Sequence, residues 1–122
     1  MPSLPRAFLL LAGLVSAAGA TGAANQAFCR PAIAPGPSGH SDVVNRQRTW
    51  TGTFAVDASP CATAAGFFTV DFVRLKEIGP DLSFTELFTW QAGRTEVSLD
   101  LAWDEWVNAH RIGDIAPCPC RK

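Results

Sequence analysis

An excess of charge of one sign is the first thing missing from these 122 residues: 10 Lys plus Arg stand against 11 Asp plus Glu, a formal net charge of -1. Without long runs of either sign, that balance excludes the basic footprint of a nucleic-acid binder and the acidic tail of a solvating segment. Recognisable catalytic motifs are missing as well. No serine lies in G-x-S-x-G, no H-E-x-x-H occurs, and no glycine-rich loop opens a helix to hold a phosphate. Histidine is limited to His40 and His110. The one acid/base couple that can be named is His110 with Asp114 or Asp104, and a solvent-facing histidine near a helix C-terminus is the simpler reading. Asp100, Asp104 and Glu105 lack the glycine-bearing loop and alternating spacing of a calcium site, so neither metal nor cofactor is implied. The chain reads as non-enzymatic, with no internal repeat and no N-glycosylation sequon.

Long apolar runs are confined to the start. Arg6 precedes the stretch Ala7 to Val15, which is followed by the small residues Ser16-Ala-Ala-Gly-Ala20. This is the layout of a signal peptide spanning 1–20, with cleavage after Ala20 or as late as Ala24. The run is about half the roughly 20 residues a helix needs to cross a bilayer. The sequence therefore predicts a secreted or periplasmic protein with no transmembrane segment in its mature form.

What remains after cleavage is a small domain with a modest core, and its four cysteines read as two disulfides that supplement that core. Cys118-Pro119-Cys120 limits the pairing, because in an extended segment the two thiols project to the same face and not toward each other. Each then needs a partner elsewhere, either Cys29 with Cys120 and Cys61 with Cys118, or the crossed alternative. A second reading makes Cys118 and Cys120 a thiol-disulfide or soft-metal carrier, although one C-x-C without further ligands falls short of a four-ligand site.

Residues 25–47 carry Pro31, Pro35, Gly36, Pro37 and Gly39 without an apolar period, and read as an extended arm ahead of a β domain at 48–122. From Arg48 the texture alternates, with Trp50, Phe54 and Val56 in one phase and Thr49, Thr51 and Thr53 in the other. A second strand follows the loop Asp57 to Gly66 and runs to about Lys76. It places Phe68, Val70 and Phe72 in phase before a turn at Glu77 to Asp81. A two-residue turn at Ala92-Gly93 would set Trp90 opposite Thr95, Phe88 opposite Val97, Phe84 opposite Leu101 and Leu82 opposite Trp103, a hairpin with one apolar face. Trp103, Trp106, Val107 and His110 fall at helical spacing, so Asp104 to Arg111 predicts a short helical turn, with Ile112 to Ala116 returning as an edge strand.

The expected fold is all-β, a small antiparallel sandwich or meander of about five or six strands with one helical turn near the C-terminus. Two features break its pattern. Glu86 shares a phase with Leu82, Phe84, Phe88 and Trp90, and a carboxylate on an apolar face needs a partner; Arg74, in phase with Phe72, is the candidate across the Gly79-Pro80 turn. A polar group in a ligand pocket is the alternative for Glu86. Trp103 and Trp106, with Asp104, Glu105 and His110 close by, form the densest mix of aromatic and ionisable groups. They are the candidate platform for a protein or cell-envelope ligand, or else they close one end of the core.

Overall fold

The computed structural model describes residues 28–122, so the leader segment 1–20 lies outside the described residues. The strands are β1 (Phe28–Cys29), β2 (Ala32–His40), β3 (Gln47–Asp57), β4 (Ala65–Lys76), β5 (Leu82–Gln91), β6 (Gly93–Ala102), β7 (Glu105–Ile115) and β8 (Cys118–Pro119). They form two three-stranded antiparallel sheets, β2-β3-β6 and β5-β4-β7, and a two-stranded ribbon, β1-β8.

The strands arise from period-2 alternation, and the central strand of each sheet shows why they pack. In β3 the even residues Trp50, Phe54 and Val56 are buried, and in β4 the even residues Phe68, Val70 and Phe72 are buried. The two rows meet edge-to-face, with Trp50 against Phe72 at 5.1 Å and Phe54 against Phe68 at 5.3 Å between ring centroids. Each large indole is accommodated by a glycine. The Trp50 ring lies over Gly52 on its own strand, and the Trp90 ring lies over Gly66, its cross-strand partner, where a Cβ would stand 2.7 Å from Nε1.

Three expectations need correction. The hairpin across Ala92-Gly93 does not form. β5 pairs with β4 and β6 pairs with β3, so the chain changes sheets at Gly93, whose φ is +96°. The predicted inner residues from Phe84 to Trp90 and from Thr95 to Leu101 do line the core, because facing sheets impose the same phase as strands paired side by side. One of the pairs assigned to that face instead ends it, since Leu82 and Trp103 are both exposed.

The helical turn is a strand, β7. Its helical spacing comes from bulges: register shifts opposite Val73/Arg74 and Phe68/Val70 turn Val107, His110, Ile112 and Ile115 toward the core. Steps of three and two residues imitate a helix in sequence.

The Pro/Gly-rich stretch is more than an arm, since Ala32 to His40 pairs along β3, with a shift between Pro35 and Ser38. Such prolines fit because β2 is an edge. It joins β3 through a tight turn in which Val44 and Gln47 exchange both backbone hydrogen bonds, at 2.8 and 3.0 Å. Asn45 and Arg46 adopt φ of 52° and 66° there, a type I′ arrangement with Arg in a position that favours glycine.

The four cysteines form Cys29–Cys120 and Cys61–Cys118, the first of the two expected pairings, and no described cysteine is free. Backbone pairing runs the other way, Cys29 opposite Cys118 and Cys61 opposite Cys120. The tail thus lies between β1 and the Pro60 to Ala62 loop, which adds hydrogen bonds from Ala62 N–H to the Pro119 carbonyl at 2.7 Å and from Arg121 N–H to the Pro60 carbonyl at 2.8 Å.

Candidate binding surface

Because alternate residues of each strand are spent on the core, the opposite set decides what the two sheets show to solvent. On β2-β3-β6 that set is polar: Thr49 opposite Asp100, Thr51 opposite Ser98 and Thr53 opposite Glu96. On β5-β4-β7 it is mixed, and it includes large apolar side chains among threonine, serine and charged ones. Phe67 is 54% exposed and Leu87 64% exposed, and both sit beside Thr69. Val73 lies between Ser83 and Ala109, and Leu75 lies opposite the half-buried Trp106.

A polar bar crosses the middle of this face. Asp71 pairs in register with Thr85 on one side and Arg111 on the other. Thr85 Oγ1 donates to Asp71 Oδ1 at 2.7 Å, and Arg111 Nε lies 3.5 Å from Asp71 Oδ2. The exposed guanidinium retains free donors. Two shallow depressions of about 560 Å³ each adjoin the bar, one bordered by Val73, Ser83 and Ala109, the other by Phe67, Leu87 and Gly113.

Trp103 stands at the β6–β7 turn at one end of the molecule, 47% exposed. That turn is held from several sides. Arg48 Nη2 donates to the Trp103 carbonyl at 3.0 Å, and Glu105 Oε1 accepts the Ala102 N–H at 2.7 Å. Glu105 Oε2 pairs with Arg74 Nη1 at 2.8 Å, and the Asp104 carbonyl accepts the Glu77 N–H at 2.9 Å. Asp104 itself is buried. The exposed indole is therefore carried on a rigid mount.

Of the residues singled out in the sequence, Trp103, Asp104, Glu105 and Trp106 stay together at this end, and His110 does not. Its ring lies in the aromatic core, 4.9 Å from Trp50, 6.2 Å from Phe54 and 6.5 Å from Phe72, and burial lowers its pKa below the ordinary 6.5. It faces neither Asp104 nor Asp114. The expected partner of Arg74 is also replaced. Glu105 takes the guanidinium, while Glu86 lies opposite Val70 and is exposed at the edge of its sheet. The apolar phase of Glu86 was read correctly, but at an edge strand that phase opens to solvent.

Sequence reasoning missed His40. Its Nε2 accepts the Val107 N–H at 3.0 Å, tying the end of β2 to β7 in the other sheet. This bond requires the neutral imidazole. Partial burial, and secondarily the positive charge of Arg48, lower the His40 pKa from 6.5. At the other end of the same side, Arg30 Nε donates to the Ile115 carbonyl at 3.1 Å. The apolar outer face was missed too, because an alternation search assigns the second phase of a strand to solvent whatever its composition.

No protein-family model, curated protein or solved structure matches this chain. Among the described residues no helix is long and apolar enough to cross a membrane, and no cluster of His, Cys, Asp and Glu has the arrangement of a metal site.

Proposed function

We propose that this chain is an exported, non-enzymatic binding module of the cell envelope or extracellular space, and that its partner, a protein or an envelope component, docks on the outer face of β5-β4-β7. The observation that carries this reading is the contrast between the two outer faces. Phe67, Val73, Leu75, Leu87 and Trp106 are large apolar side chains on one outer face, whereas the outer face of the other sheet carries threonine, serine, alanine and charged residues. Apolar side chains gathered on one exposed face, crossed by a polar bar with free arginine donors, supply both contact area and orientation. Trp103 at the end of the molecule adds a rigidly mounted aromatic anchor. Export is supported by the leader-like start and by two disulfides that tie distant segments, a pattern of oxidising compartments.

The test uses the mature protein with intrinsic tryptophan fluorescence, titrated separately with anionic vesicles, soluble envelope glycans and detergent-extracted envelope proteins. Binding of one class should weaken at least roughly tenfold in the double variant Phe67→Ser/Leu87→Ser. Ser98→Lys on the polar face should leave it unchanged. Equal loss in both variants, or none in either, would overturn the assignment.

A further inference from the structure

The sheet edges differ as much as the faces do. β2 is interrupted by Pro35, Pro37 and a register shift, β7 by two register shifts, and β6 displays Arg94, Glu96 and Asp100. These are the devices that keep edges from pairing. β5 has no proline, glycine, lysine or arginine in its ten residues and pairs with β4 without a shift, so a single charge in the inward phase, Glu86, is the one such device it carries.

The direction of its free hydrogen-bonding groups follows from the structure. Ala92 N–H donates to the Ala64 carbonyl at 2.9 Å, so Ala92 and Ala64 form a hydrogen-bonded pair, as do the even residues of β5 preceding it in the same register. The odd residues Ser83, Thr85, Leu87 and Thr89 then turn their N–H and C=O groups away from the sheet. Gln91 has the same parity, and it confirms the phase: its N–H and C=O are taken by Thr95 Oγ1 at 2.7 and 3.2 Å.

Beside that free edge the core is not fully closed. Phe84 and Phe88 are only partly buried, as is Leu99 on β6. Between Phe84 and Phe88, in the same phase, stands the exposed carboxylate of Glu86.

We propose that the β5 edge accepts an extended segment of a partner by strand addition. The segment it fits has a basic residue opposite Glu86, flanked at the second position on either side by apolar residues that cover Phe84 and Phe88. Main-chain bonds to Ser83, Thr85, Leu87 and Thr89 supply affinity, and the Glu86 position supplies selection. Toward the incoming strand the even residues form non-hydrogen-bonded pairs, in which side chains approach closest, so the charge at the pair centre is read at short range. This edge deepens the binding role proposed above and is separable from it, because Glu86 is on neither outer face.

The experiment uses two synthetic peptides, Thr-Val-Thr-Lys-Thr-Val-Thr and the same sequence with Glu in place of Lys, against wild-type protein and Glu86→Lys, with Glu86→Gln as the neutral control. The wild type should bind the Lys peptide about fivefold more tightly than the Glu peptide, Glu86→Lys should reverse the order, and Glu86→Gln should remove it. Binding should protect the amides of Ser83, Thr85, Leu87 and Thr89 from hydrogen exchange. A preference that does not invert, protection on β2, β6 or β7 instead, or protection of the β5 amides by self-association without peptide would overturn the proposal. Unchanged binding of the envelope partner in Phe67→Ser/Leu87→Ser, with the peptide charge preference intact, would count against the face alone.

Discussion

The two long sides of the sandwich are closed in different ways. On the β2/β7 side, both strands are kinked by bulges, and the sheets are stitched to each other by His40 on Val107 and by Arg30 on Ile115. On the β5/β6 side, both strands run without a register shift, and the link between sheets is the crossing at Gly93 with Thr95 bonded to Gln91. Irregular strands carry the specific polar stitches, whereas regular strands are held mainly by side-chain burial. A small domain with a modest core can therefore be tight along one margin and available along the other.

Removing a bridge breaks this comparison most strongly. Cys29→Ser/Cys120→Ser frees β1 and the start of β2, and in the chain-entropy model it costs about 4 kcal/mol, a large share of a total of roughly 5 to 15. Denaturant unfolding should record the loss, and hydrogen exchange should accelerate in β2 and β7 before β5 and β6. The opposite margin is reached through Gly66→Ala. The added methyl collides with the Trp90 indole, so about 1 to 3 kcal/mol should be lost, with opening concentrated in β5.

Acid provides a milder test. The folded-state pKa of His40 lies below 6.5, so the unfolded chain takes up the proton more readily. The contribution is complete above about pH 6.5 and declines as pH falls below it. His40→Gln keeps an acceptor for the Val107 N–H while removing this titration. Its unfolding midpoint should vary less between pH 7 and 5, with the remaining dependence owed to His110, which is shifted in the same direction. The smallest effect belongs to the β2–β3 turn. Arg46→Gly relieves a positive φ and should stabilise the domain by at most about 1 kcal/mol, seen as a small rise in Tm.

Much of the fold was legible because alternation survives any arrangement of neighbours. The core residues of β3, β4, β5 and β6 follow from phase alone, and the all-β class with them. Partnership was legible only in part: β4 pairs with β5 across the Gly79-Pro80 turn as expected, whereas the partner of β6 is β3. Phe84 to Trp90 and Thr95 to Leu101 show the same pattern whether the two strands pair with each other or face each other across a core, and Gly93 permits either. Bulges hid β7, since Val107, His110 and Ile112 keep an inward direction only if the partner strand is known. Glu86 was recognised as anomalous, yet whether its phase leads to a core or an open edge depends on strand order, which one sequence does not encode locally. Of the candidate surface, Trp103 and Trp106 were found by their type. Phe67 and Leu87 were overlooked because isolated apolar residues in a polar phase are ordinary until a sheet gathers them together.

The interleaved fastening of the tail has a consequence for biogenesis. Cys29 and Cys61 precede Cys118 and Cys120 in the chain, and both wait for partners that emerge after every long strand has been threaded. During that interval the two early thiols have only each other, and a bond between them would have to be undone before the tail could be laid in place. Maturation of this domain therefore depends on an oxidation that is delayed or correctable, and yield should follow the isomerase capacity of the compartment more closely than the intrinsic stability of the sandwich.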